Sequence, residues 1–416
     1  MKKTLLVSAL LLTATPAFAA EPDGLILPEG FHASVVAENL GPIRHMAVRK
    51  NGDIYVSLRR GRDAPPRGII ALRLGPDHKA VQTQAFSGVD QGTGIRIHKD
   101  KLYAAAGTGI YRFAFDGDAL VPTAAPEIIV DGLTVSNHPI AFDGRGNLYV
   151  SIDGGGGVNN CPDPKTPKEA KPVGLKPCPL LAFRGGIWRF SDNKLGQTLK
   201  DGDHFATGMR NASALDWRNG DGLYLGMHGR DGTSKGWPEF VSQADDDAIP
   251  DEVFRVTKGT DMGWPYTYWD ANRKIRLGAP EYGGDGKTAI TDRKYAKPVA
   301  VFYPLRPAVL DMVFYTGTQF PRSYRGGAFF AMHGGNDPTP VAGGRNGYNV
   351  MFVPFTNGKA GTPVAFAEGF AGTAPKNIKT APHRPVGVAV GPDGALFVAD
   401  SIKGKIWRIS YGATPK

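Results

Sequence analysis

The strongest constraint on this chain is a recurrence. A strand-turn-strand hairpin with Leu/Ile-Tyr/Phe in its second arm returns six times, and each copy is followed by a further strand. The hairpins lie at Met46 to Leu58, Ile95 to Ala105, Ile140 to Ile152, Ala214 to Met227, Met312 to Met332 and Val386 to Ala399. The closing strands lie at Gly68 to Leu74, Gly109 to Arg112, Gly186 to Arg189, Glu252 to Arg255, Tyr348 to Phe355 and Lys405 to Arg408. An apolar strand ending near a glycine precedes each hairpin. No segment has the apolar period of a long helix. Six β-rich units in strict alternation predict an all-β chain, a six-bladed β-propeller with long loop insertions. Two β-sandwiches would use as many strands but would not generate this pairing of motifs. The abundance of Gly (55) and Pro (33) fits the many turns such a fold needs.

The first 20 residues stand outside the repeat. Lys2-Lys3, the apolar run Leu5 to Leu12 and the small-x-small site Ala17-Phe18-Ala19 read as a cleaved secretory signal. The expectation is a signal peptide over 1–20 and one propeller domain over 21–416, delivered to the periplasm, with no stable membrane insertion. The only two cysteines, Cys161 and Cys178, are then expected to form a disulfide. The formal charge of +10 is dispersed, with no basic block, so nucleic acid is not the expected partner. Anionic small ligands or an acidic redox partner suit it better. No Cys-x-x-Cys-His occurs in the sequence, so no haem attachment site of that type is expected.

Polar residues fall at one register of the repeat, just ahead of the hairpins. Arg44, His138-Pro139, Arg210-Asn211, Arg306-Pro307 and Arg384-Pro385 occupy it in five units, and Thr93-Gly94 in the second. Equivalent loops of a propeller meet at one end of its axis. Five cations would therefore converge, which calls for a bound anion or several carboxylates. His138 has the residue type for a base near neutral pH. After the fourth hairpin comes His228-Gly229-Arg230-Asp231, where a glycine lets backbone carbonyls approach a ligand or a hard cation. Asp245-Asp246-Asp247 is acidic enough for Ca²⁺ but lacks EF-hand spacing.

Read in order, several motifs resemble the soluble pyrroloquinoline quinone (PQQ)-dependent sugar dehydrogenases, in their sorbosone and pyranose dehydrogenase branch. They are Leu27 to Phe31, Asn137 to Phe142, Gly208 to Asn211, Asp261 to Pro265, Leu310 to Tyr315, Met332 to Gly334, Gly347 to Phe355, His383 to Val388 and Gly404 to Ile409. The resemblance implies an oxidoreductase acting on a sugar or sugar-derived aldehyde, with PQQ and Ca²⁺ as cofactors. Electrons would pass to an external acceptor, a cytochrome or a quinone. It implies that His138 is the general base, taking a proton from the substrate's hydroxyl centre while hydride passes to C5 of PQQ. Arg210 would stabilise charge on the reducing quinone, and Asn211 would contact the cofactor, with His228 beside it. Gly229 and Arg230 would ligate Ca²⁺ through their carbonyls, and the metal would act as a Lewis acid. Arg384 would bind the PQQ carboxylates, and Arg44 and Arg306 would lie in cofactor-facing loops. One departure stands out: after His333-Gly334 the branch continues Ser-Trp-Asn-Arg, and this chain reads Gly335-Asn336-Asp337-Pro338, with Arg345 as a candidate substitute cation. Two other classes are open to such a chain: a Ca²⁺-dependent propeller lactonase, which needs converging acidic ligands, and a non-catalytic sugar-binding propeller.

Overall fold

A computed structural model describes residues 18–21, 24–59, 68–86, 92–134, 137–155, 161–292, 294–304, 306–335, 347–372 and 378–412. Six antiparallel sheets make up the body of the protein. The first blade is Ile43–Val48, Ile54–Leu58, Ile69–Leu74 and Ala80–Phe86, and the second is Ile95–His98, Lys101–Ala106, Gly109–Ala114 and Glu127–Val130. The third, Ile140–Phe142, Asn147–Ile152, Gly186–Ser191 and Asp203–Thr207, gains a short parallel strand, Thr260–Asp261. The fourth is Ala214–Arg218, Gly222–Met227, Asp251–Val256 and Ala300–Phe302. The fifth is Val309–Phe314, Ala328–Met332, Asn349–Val353 and Val364–Ala367. The sixth is Pro385–Val390, Leu396–Asp400 and Ile406–Tyr411, completed by Phe31–Ala37 from the other end of the chain.

The expected six-bladed propeller is therefore the fold. The sequence unit and the blade are offset by one strand. The apolar strand ahead of each hairpin is the outer strand of the preceding blade, and Phe31–Ala37 pairs with Ile406–Tyr411 to close the ring. Such closure covers an edge that would otherwise expose unpaired backbone groups.

The core is divided among the blade interfaces rather than gathered at one centre. Ala47 and Tyr55 of the first blade pack on Leu102 and Phe113 of the second. Ala214 and Tyr224 of the fourth pack on Val309 and Phe330 of the fifth. Ile43 and Val56 meet Val386 and Phe397 across the closing interface. The repeated Leu/Ile-Tyr/Phe pair supplies these contacts, because alternate residues of a strand face opposite sides and each blade is buried on both.

Phe18–Ala20, at the expected cleavage site, pairs with Ile26–Pro28, and the rest of the expected signal lies outside the described residues. Among the described residues no helix is long and apolar enough to cross a membrane. Cys161 and Cys178 are joined in a disulfide, as expected, with their Cα atoms 5.9 Å apart.

Candidate functional site

In an antiparallel hairpin the loop entering the first strand and the loop leaving the second lie side by side. Two sets of loops therefore share one end of the propeller. His228 N donates to Asn211 O at 2.8 Å, bringing together the two polar clusters that flank the fourth hairpin.

The five expected cations separate into groups. Arg44 and Arg384, from the first and sixth blades, lie with Arg59 and His333. Burial, and then the charges of Arg59 and Arg384, push the Arg44 guanidinium down to about 10. Burial also lowers Arg384, whose Nε donates to His333 O at 2.9 Å and Nη2 to Gly334 O at 2.6 Å. Buried among these arginines, the His333 imidazole is held far below its ordinary value, and Nε2 pairs with Ser401 Oγ at 2.8 Å. Among the described residues no carboxylate forms an ion pair with Arg44 or Arg59. Like charges gathered without a counter-ion constitute a site for an anion.

Arg210 and Arg306 are arranged differently. Asp231 takes Arg210 Nη2 on Oδ2 at 2.7 Å and Arg306 Nε on Oδ1 at 3.1 Å. Burial opposes ionisation of Asp231, but the two arginines outweigh it and hold the carboxyl below its usual range. Arg306 also donates to Asp246 O at 2.5 Å. Its charge is thus satisfied within the protein rather than left in the ring with Arg44. Asp246, in the acidic triplet considered for Ca²⁺, is buried and accepts from Ser234 Oγ at 2.9 Å. Asp245 caps the short helix Gln243–Asp247 through Ser242 and pairs with Arg273 at 2.6 Å.

His138, in the loop that enters the third blade, is fully buried. Its Nδ1 lies 3.1 Å from Ser151 O. A carbonyl can only accept, so Nδ1 carries the proton and Nε2 carries the lone pair. In the second blade Gly94 can carry no side chain, because a Cβ there would fall 2.2 Å from His138 O. Asn211 Nδ2 donates to Asp153 Oδ2 at 2.8 Å, and Ser151 Oγ to Ala212 O at 2.9 Å, which fixes the third blade to the fourth.

His228 Nε2 lies 2.7 Å from Val309 O, so the imidazole ties the fourth blade to the fifth. A Cβ on Gly229 would fall 2.2 Å from Pro250 O, and Gly229 N donates to Asp251 Oδ1 at 3.0 Å. The Gly229 carbonyl accepts Arg210 Nη1. Arg230 turns its side chain away into a buried pair with Glu281, Nη2 to Oε1 at 2.5 Å. A cavity of about 20 Å³, the size of one water, lies behind these residues and borders Glu252 and Tyr268. Among the described residues no three His, Cys, Asp or Glu side chains cluster as a metal site. A guanidinium on the Gly229 carbonyl would repel a divalent cation, so this arrangement does not fit Ca²⁺. The Arg44, Arg59 and Arg384 group does fit a polycarboxylate such as PQQ.

Arg59 and His333 were not anticipated from the register ahead of the hairpins. Both follow the second strand of a hairpin, as His228 does. Reading that second register would have found them. The altered segment after Gly335, including Asn336, Asp337 and Arg345, lies outside the described residues.

Three comparisons bear on this geometry. The sequence profile of the family described as TrAA12-like matches residues 25–412. The fold is similar to the holo PQQ domain of pyranose dehydrogenase from Coprinopsis cinerea, with a TM-score of 0.70 and 16% identity over 94% of this chain and 98% of that one. It is also similar to a calcium structure of carbohydrate-active enzyme family AA12 from Trichoderma reesei, with a TM-score of 0.70 and 15% identity, covering 94% and 98%. The PQQ-bound aldose sugar dehydrogenase of Streptomyces coelicolor aligns with a TM-score of 0.57 and 18% identity, covering 92% and 99%. An uncharacterised protein of Borreliella burgdorferi is 28% identical over 213 residues, 50% of this chain, and the match spans 48% of that protein's length.

Proposed function

Because the chain belongs to the TrAA12-like family, we propose that it is a PQQ-dependent dehydrogenase that oxidises a sugar or sugar-derived aldehyde and passes electrons to an external acceptor. The observation that carries this reading is the group of Arg44, Arg59 and Arg384, crowded together with no ion-paired carboxylate on Arg44 or Arg59. PQQ has three carboxylates, and three guanidinium groups match them in charge and in hydrogen-bonding shape. When bound, PQQ supplies the quinone that accepts hydride from the substrate carbon.

The protein's own residues do the rest. His138, held by Ser151 with its lone pair on Nε2, accepts the substrate's hydroxyl proton at that atom. Arg384 and Arg44 anchor the cofactor's carboxylates. Arg210, braced by Asp231 and the Gly229 carbonyl, holds positive charge beside the reacting centre. Ca²⁺ comes into consideration from the Trichoderma reesei structure and from the resemblance. With Arg210 on the Gly229 carbonyl the donor set disagrees with it, and no step is assigned to a metal. The leader at 1–20 supports export to a periplasm, where the acceptor would be a cytochrome or a quinone.

Titration of the purified protein with PQQ, followed by an aldose and aldehyde panel with a reducible dye, tests the reading. Saturable PQQ absorbance changes and sugar-dependent dye reduction are expected. A protein that binds no PQQ at micromolar concentration overturns the proposal.

A further inference from the structure

His333 lies among the arginines of the cation group, and the dehydrogenase reading gives it no part. Its ring is only partly covered. Nε2 is paired with Ser401 Oγ at 2.8 Å, which fixes the ring. Nδ1 has no hydrogen-bond partner among the described residues, and it is not sealed from solvent as His45 Nδ1 is. Burial, and then the charges of Arg384, Arg44, His228 and Arg59, oppose a charge on the imidazole. His333 is therefore neutral and keeps one lone pair. Beside guanidinium groups the favoured tautomer turns the lone pair, not a second N–H, toward the cations. Nε2 then donates to Ser401, and Nδ1 is the acceptor.

The other acceptors at this end are engaged. His333 O and Gly334 O take Arg384. Asp231 takes Arg210 and Arg306. Asp400, fully buried, accepts Arg384 N and Lys403 N at 2.7 Å each. His228 Nε2 is bound to Val309 O, and its remaining nitrogen lies with Arg210 and Gly229 instead.

From this we propose that His333 Nδ1 accepts a hydrogen bond from the pyrrole N–H of PQQ. The inference rests on the dehydrogenase reading. PQQ has a single ring N–H, placed between two of its carboxylates and away from the quinone oxygens. Arginines that hold those carboxylates bring the N–H toward His333 rather than toward His228, on the Arg210 side. Guanidinium groups only donate, so they cannot serve it. An N–H buried without an acceptor weakens binding, and the neutral imidazole removes that cost.

Titration of the full chain with PQQ, by absorbance and by calorimetry, tests this. His333→Phe should weaken PQQ binding about tenfold or more. His333→Gln, whose amide oxygen can accept, should recover most of the loss. Both variants keep the backbone carbonyls that seat Arg384. Calorimetry of the wild type slightly below neutral pH, in buffers of different ionisation enthalpy, counts protons and needs no variant. No proton should be taken up on binding. Wild-type affinity in His333→Phe would leave the N–H to the cofactor's own carboxylate and overturn the inference. So would equal losses in the two variants. Uptake of about one proton would make His333 a cationic partner of a carboxylate, which also overturns it. If the wild type binds no PQQ, the dehydrogenase reading falls and this inference falls with it.

Discussion

Arg96, on the second blade, donates across the propeller axis to Asp311 on the fifth, Nη2 to Oδ1 at 3.2 Å. Asp311 is fully buried and also accepts Met312 N at 2.9 Å and, from the sixth blade, Val388 N at 3.1 Å. One carboxylate thus ties three blades beneath the candidate site. Asp311→Ala would leave a largely buried guanidinium without its counter-ion and two backbone donors without acceptors. A loss of about 3–5 kcal/mol is expected, read as a fall in Tm and in the urea midpoint. A loss below about 1 kcal/mol would mean that the pair is dispensable to ring closure.

The cation group makes a prediction about affinity. Arg384→Ala and Arg44→Ala should each weaken PQQ binding by about 10- to 100-fold, since a hydrogen bond to a charged group is worth about 1.5–3 kcal/mol. Lysine at either position should restore only part of it, because an ammonium cannot pair bidentately with a carboxylate. Absorbance titration measures this directly. Arg306→Ala should weaken PQQ binding less, because its guanidinium is already engaged by Asp231 and Asp246.

For His138 the expected signature is a separation of turnover from binding. His138→Ala should reduce kcat by about 10²- to 10⁴-fold while PQQ affinity changes little. Undiminished turnover in that variant would remove His138 from the role of base.

Asp216 gives a pH prediction. Burial pushes its carboxyl up to about 6, against the opposing charge of Arg96. Its folded value lies above its unfolded one, so the folded protein binds the proton more tightly. This group's contribution to stability is present below about pH 4 and is lost as pH rises toward about 6. Asp216→Asn cannot titrate there, so its Tm should fall less than that of the wild type between pH 4 and 6. Parallel curves for the two proteins would show that Asp216 does not govern this window.

Gly229 is predicted to be intolerant of any side chain. A Cβ there meets the Pro250 carbonyl oxygen at 2.2 Å, and that oxygen belongs to backbone. Gly229→Ala should cost about 1–3 kcal/mol in stability. It should also weaken PQQ binding by displacing the carbonyl that seats Arg210. A variant with wild-type melting would show that the loop can yield.

Much of the site was legible because a repeat places equivalent loops at one end of the axis. Arg44 and Arg384 stood out at a shared register, and they do lie together. What that register could not reveal was how neighbours divide the charge. Asp231 follows the fourth hairpin, yet it neutralises Arg210 ahead of that hairpin and Arg306 ahead of the next. Arg59 and His333 enter the group from loops on the other side of their hairpins. Only the register after the second strand of each hairpin marks them.

The sequence by itself determined the blade count, the hairpin positions and the cysteine pair. These depend on local periodicity, turn chemistry and apolar alternation, which a one-dimensional pattern carries. Only the tertiary structure decided that Phe31–Ala37 closes the sixth blade. It also decided that, of the five expected cations, Arg44 and Arg384 share an uncompensated group, Arg210 and Arg306 are bound by Asp231, and His138 stands apart against Ser151 O. The physical reason is that Coulomb and hydrogen-bond energies depend on distance and burial across blades. Residues hundreds of positions apart acquire both only when the ring closes.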